Sequence, residues 1–232
     1  MLQEGRYTMY QGIAASRGIG IGSICVIVDH ELKYDPVKIT DIDAEKKRFQ
    51  DAVAKFTETT SVMADDIRNR IGSKEAEILE GHLVMISDPT MSGEMEKMIV
   101  SGQCAEASVE AVCDMFIGMF SKMDDDMMRQ RASDISDIKI SLLKILLGIH
   151  DIDIRTVAPG TILVAKDLTP SMTPQIIKEN VAGIITEIGG TTSHSAILAR
   201  AIEIPAVLSV PNITSLVKDK DTAIVDGTEG NI

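Results

Sequence analysis

A chain of 232 residues with 44% hydrophobic side chains can build one or two domains with real cores. Its formal charge of −12 argues against nucleic acid and anionic membrane as partners, and suits a basic protein partner better. Cys25, Cys104 and Cys113 form no CxxC pair, and no apolar stretch is long enough to be a signal sequence or a bilayer span, so the expectation is a cytoplasmic protein without a disulfide scaffold.

In chain order, residues 12–32 are rich in Gly and Ile, and Ser23 to Val28 reads as a strand. The run Gly18-Ile19-Gly20-Ile21-Gly22 precedes that strand instead of following it, so it is not a dinucleotide-binding fingerprint. From residue 33 to about 150 the pattern is helical. Ile42, Phe49, Val53, Phe56, Met63 and Ile67 recur at helical spacing, with Asp41 as a cap and Gly72 as a stop. A second helix, KEAEILEGHLVMISD, breaks at Asp88-Pro89, where a third opens. Ala105 to Ser121 is a fourth, with Ala111, Met115 and Met119 as its expected stripe. Residues 124–147 are a fifth, with Ile135, Ile138, Leu142, Ile145 and Leu146 facing inward. Thirteen Met help fill cores that hold only four Phe, three Tyr and no Trp. Such helices bury their stripes against one another in a bundle.

Near Gly148 the texture changes. TILVAK, VAGIITEI, PAVLSV and DTAIVDG read as strands and SHSAILARAI as a helix, which is an α/β layer pattern. The opening strand has no sheet of its own, so it is expected to join this later sheet, making the helical zone an insertion.

The stretch EIGGTTSHSAILARAIEIPAV, residues 187–207, carries the chemistry. Gly189 and Gly190 follow a strand and leave the backbone open to approach. Thr191, Thr192 and Ser193 can cap the helix that follows, which puts His194 in its first turn, where the positive helix end favours an anion. A neutral imidazole nitrogen there is a competent nucleophile toward a phosphoryl donor. The neighbouring hydroxyls, Ser195 included, can orient the ring or bond phosphoryl oxygens. A structural histidine beside a Ser/Thr cap fits the same bare context. His82 lies inside the second helix, and His30 and His150 sit at element ends. No His, Cys or carboxylate group has metal-site spacing, and no GxSxG or Walker A run is present.

Together, GIAASRGIGIG, ILEGHLVMISDP, VAKDLTPSMTPQ, GIITEIGGTTSHSAILARAIEIPAVLSV and DGTEGNI resemble the amino-terminal part of enzyme I of the bacterial phosphoenolpyruvate-dependent sugar phosphotransferase system. The resemblance covers essentially the whole chain. It implies an α/β phosphohistidine (swivelling) domain from residues 1–32 and 151–232, with an inserted all-α helical-bundle domain over 33–150. It also implies that His194 accepts a phosphoryl group on Nε2 and passes it reversibly to the histidine of HPr, a small carrier protein. Thr173 would hydrogen-bond that histidine or its phosphoryl group. The helical domain would dock HPr, with His82 and Arg131 near the contact. Ser136 stands where many relatives carry a second arginine.

In that family a carboxy-terminal barrel binds phosphoenolpyruvate and Mg2+ and makes a homodimer. This chain stops at Ile232, so the resemblance implies no cofactor or metal in it, no loading from phosphoenolpyruvate by itself, and a monomer. GGTTSHSAILAR is shared with pyruvate phosphate dikinases and phosphoenolpyruvate synthases, so a swivelling domain of that kind is one alternative. A non-catalytic interaction module is another.

Overall fold

The computed structural model describes residues 8–27, 32–149 and 153–232, with the side chains of Asp126 and Thr173 outside that description. His30, His150 and the predicted strand end Val28 lie outside the described residues. The described chain falls into two compact units, residues 8–27 with 153–232 and residues 32–149.

The second of these is helical because its starts and stops are local. α1 (Ile42–Arg70) opens where the Asp41 side chain accepts from Ala44 N at 3.0 Å. It buries Phe49, Ala52, Phe56, Thr60, Ala64 and Ile67, an i, i+3, i+4 series. Ile42, expected in that stripe, is exposed at the helix start. α2 (Ser73–Ser87) follows directly across Gly72, and α3 (Pro89–Val100) starts on Pro89 with Asp88 accepting from Thr90 N at 2.7 Å. α4 is Ala105–Phe120. α5 (Asp126–Leu147) is capped by Asp125 and ends at Gly148. Ile135, Ile138, Leu142 and Leu143 of α5 pack with Phe49, Phe56, Ile86, Met95, Ile99, Val109 and Cys113 in one core. Burial in that core pushes the Cys113 thiol up to about 12, so it packs as a small hydrophobe.

One expectation about α4 is overturned. Its buried face is Ala105, Ser108, Val109, Val112 and Cys113. Ala111, Met115 and Met119 face solvent, with Met115 55% and Met119 46% exposed. α4 packs on α3 and α5 through small side chains in its first half, which allow close helix approach, while Phe116, Ile117 and Phe120 lie partly buried against the core and the two methionines stay outside.

Polar residues fix the ends of this bundle. Arg48 of α1 bonds Glu45 at 2.6 Å and Glu106 of α4 at 2.6 Å, and its Nη1 donates to Leu146 O of α5 at 3.3 Å. Glu45 also accepts from Ala105 N at 2.6 Å. The Arg48 hydrogen bonds hold the Glu45 carboxyl below its ordinary range, against the opposing effect of burial. Tyr34 donates to Glu110.

The other unit is one six-stranded sheet in the order β1-β5-β4-β3-β2-β6: β1 (Ile13–Ser16), β2 (Ile19–Val26), β3 (Thr161–Ala165), β4 (Val181–Thr186), β5 (Ala206–Leu208) and β6 (Thr222–Asp226). β2 to β5 run parallel, and β1 and β6 close the two edges antiparallel. The opening strand therefore pairs with the later sheet, Ser23 to Val26 against Thr161 to Val164. It is longer than predicted because the Gly-Ile run is itself strand. A Cβ on Gly20 would lie 1.9 Å from Ala182 O, and one on Gly22 1.8 Å from Gly160 O, so the missing side chains admit neighbouring backbone. β3 and β4 are almost wholly buried, as parallel central strands are. Among the described residues no helix is long and apolar enough to cross a membrane.

Candidate functional site

β4 ends at Thr186, and the chain turns through Glu187–Ser193 into α6 (His194–Ala201). Carboxyl ends of parallel strands are where such sheets expose loops to ligands. Ser193 is the N-cap, its hydroxyl accepting from Ala196 N at 3.3 Å, and His194 is the first helical residue as the capping pattern predicts. The residue is half-buried, and its Nδ1 atom is shut off from solvent. The first-turn N–H groups and the helix dipole favour negative charge at this end.

The loop carrying His194 is held by its carbonyls. Gly189 O accepts from Ser209 Oγ. Gly190 O accepts from Ser193 N at 3.0 Å and Ser193 Oγ at 2.9 Å. Thr191 O accepts from Arg200 Nη2 at 2.9 Å. Upstream, Glu187 Oε1 accepts from Thr214 N at 3.1 Å and from the Thr214 hydroxyl. The two glycines differ in role. Gly189 has φ +118°, a conformation closed to L side chains. Gly190 has open space where a Cβ would be.

The hydroxyls divide as well. Thr191 and Thr192 are exposed. Ser195 is 1% exposed and points inward, donating to Asp167 Oδ1 at 2.8 Å and lying 3.2 Å from Leu168 O. The expectation that Ser195 helps bind a phosphoryl group is thereby corrected: its bond ties α6 to the loop after β3. Thr173 opens a short 3-10 turn, Thr173–Gln175, while its side chain lies outside the described residues. Arg200, Ser209 and Asp167 were not among the predicted site residues. Arg200 had a signal, a lone cation in the last turn of an otherwise apolar helix.

In the helical unit, His82 of α2 is 1% exposed. Its Nε2 is 3.8 Å from Asp134 Oδ1 and its Nδ1 3.8 Å from Asp137 Oδ2, both aspartates being buried on α5. Arg131 is exposed, with Nη1 3.6 Å from Asp134 Oδ2, and a Cβ on Gly81 would come within 3.1 Å of that Nη1. His82 therefore lies inside the α2–α5 contact, so any part it has in a partner surface is through the helix that carries it and not through its own ring. Arg131 is accessible. Ser136 is half-buried between the two aspartates in sequence. Among the described residues no group of three His, Cys, Asp or Glu side chains is arranged to hold a metal ion.

A mixed-sheet domain with parallel central strands and a histidine opening a helix at their ends, split in sequence by a five-helix bundle, defines a class of protein. The PEP-utilising enzyme family matches it twice, its N-terminal model over residues 11–131 and its mobile domain over residues 157–230. The chain belongs to that family. The phosphoenolpyruvate-protein phosphotransferase of Listeria monocytogenes is 40% identical over 223 residues, covering 96% of this chain. That of Enterococcus faecalis is 40% identical over 226 residues, covering 97%. The chain spans 39% of the length of either relative. The NMR solution structure of Enzyme I (nEIt) aligns with TM-score 0.81 at 34% identity, over 96% of this chain and 92% of that one. The N-terminal domain of Enzyme 1 - Nitrogen shares the fold at TM-score 0.66 and 22% identity.

Proposed function

We propose that this chain is a phosphoryl relay: His194 Nε2 takes a phosphoryl group that originates on phosphoenolpyruvate and exchanges it reversibly with the histidine of HPr. The observation that carries this reading is the half-buried His194 at the helix start with Nδ1 enclosed. In the exchange, the Nε2 lone pair forms a new P–N bond. The P–N bond of phosphorylated HPr breaks, and its electron pair returns to the HPr nitrogen. Alignment and charge stabilisation are what such a transfer asks of the protein. Thr173 is assigned a hydrogen bond to the histidine or its phosphoryl group.

The helical unit is assigned the docking of HPr. Residues 33–150 hold 22 acidic and 15 basic side chains, a net −7, which suits a basic partner. Met115 and Met119 of α4, Met123 in the following turn and Met127 of α5 leave an exposed, adaptable apolar strip, with Met127 69% exposed. Arg131 is proposed as a contact beside it. Phosphoenolpyruvate binding, Mg2+ and dimerisation are assigned to no residue of this chain, which is proposed to act as a cytoplasmic monomer.

The test is incubation with phosphorylated HPr. The chain gains acid-labile, base-stable phosphate, and His194→Ala does not. Phosphoenolpyruvate with Mg2+ alone leaves it unlabelled. Equal labelling of His194→Ala would sink the assignment.

A further inference from the structure

Arg200 sits in the last turn of α6, nearly two helical turns after His194. An arginine so close in sequence to a phosphoryl carrier invites the role of phosphate clamp. Its hydrogen bonds point elsewhere. Nη1 donates to Ala15 O in β1 at 3.0 Å, and Nη2 donates to Thr191 O at 2.9 Å. Each terminal nitrogen thus donates to a backbone carbonyl, one in the edge strand and one in the loop three residues before His194.

Thr191 O is also the last of three successive carbonyls, Gly189, Gly190 and Thr191, that each take a side-chain donor. The first two are held by serines close to them in the fold. The third depends on a guanidinium that is anchored on the sheet. Released, the Thr191–Thr192 peptide plane can rotate, and a carbonyl oxygen turned toward a phosphoryl dianion opposes its approach.

We propose that Arg200 is a positioning residue for phosphoryl transfer, acting through the Thr191 carbonyl to fix the loop that carries His194 and not by binding phosphate. The proposal rests on His194 being the phosphoryl carrier. It predicts a defect in the transfer step rather than in partner binding. Displacements of about 1 Å in such alignments cost up to roughly 100-fold.

Transfer from phosphorylated HPr is followed for wild type, Arg200→Met, Arg200→Lys and Arg200→Ala. The Met variant is expected to lose about 10- to 100-fold in maximal transfer rate, with KM for HPr changed less than about two-fold. The Lys variant, whose single Nζ replaces a two-pronged donor, falls between them. Methylguanidinium restores part of the Ala variant's rate by entering the space of about 510 Å3 bordered by Ser16, Arg17 and Thr228, whose wall Arg200 forms.

A wild-type maximal rate in Arg200→Met, or a defect confined to KM, overturns the proposal. If the Met variant does not fold, Arg200→Lys decides: a lowered maximal rate supports the proposal and an unchanged one overturns it. Wild type that takes no label removes the His194 reading itself, and so distinguishes that failure from this one.

Discussion

His82 and His194 are both helical, both near hydroxyls or carboxylates, and held in opposite ways. His82 lies in the middle of α2 with each ring nitrogen 3.8 Å from a buried aspartate of α5 and 1% of its surface exposed. His194 begins α6, with one nitrogen enclosed and the residue half-buried, on a loop fixed by donors to its carbonyls. A mid-helix histidine can be surrounded by a neighbouring helix. A helix-start histidine keeps one side toward the unsatisfied N–H groups and whatever anion they favour. The contrast separates a histidine enclosed between two helices from the helix-start histidine proposed as the phosphoryl carrier.

The comparison is sharpened first at the loop. Gly189→Val puts a β-branched side chain at φ +118°, and is expected to lower transfer from phosphorylated HPr about 100-fold while the helical unit keeps its melting behaviour. An unchanged rate would detach loop geometry from His194 reactivity. His82→Leu makes the opposite case. It removes the buried ring that fills the space between Asp134 and Asp137 and is expected to cost about 2 kcal/mol in denaturant unfolding, with the maximal transfer rate of the folded protein within about two-fold of wild type. A large loss of rate in folded protein would return His82 to the site.

Arg48→Met tests the helical unit away from both histidines. It leaves Glu45 and Glu106, each 10% exposed at the side chain, facing one another. Because Arg48 itself is 39% exposed, the expected cost is about 2 kcal/mol, less than for a fully buried pair. The sign with pH follows from the lowered Glu45 carboxyl. Unfolded Glu45 takes its proton first, so the stabilisation is complete above about pH 4.5 and is lost as pH falls through the lower native value. Arg48→Met should flatten that acid limb in unfolding curves. The smallest effect is Met119→Asp, expected to raise KM for HPr about ten-fold with the maximal rate unchanged. An unaffected KM would move docking off the methionine strip.

The fold was legible where local rules decide. Asp41 caps the helix it was expected to cap, Asp88-Pro89 opens the third, Ser193 of the three candidates caps the last, and the lone early strand had only the later sheet to join. The stripe of α4 was not legible, because AEASVEAVCDMFIGMF is apolar on more than one face and periodicity alone does not choose between them. Its partners chose the face of Val109, Val112 and Cys113, with Phe116 and Phe120 partly buried beside it. β1 was missed because IAAS is short and mostly Ala and Ser, with its order supplied by β5. At the site, the capped histidine could be read from adjacent residues. The supports could not: Ser195 meets Asp167 28 residues away, Ser209 meets Gly189 20 away, and Arg200 meets Ala15 185 away. The enclosure of His82 was not legible either, because Asp134 and Asp137 face it only once α2 packs on α5.

The most direct measurement is NMR of the chain after exposure to phosphorylated HPr, with 15N-labelled histidine and 31P detection. The account predicts one phosphoryl group, on Nε2 of His194, absent from His194→Ala and returned to HPr when unphosphorylated carrier is added. A phosphoryl group on Nδ1, on another residue, or undiminished in His194→Ala would contradict it.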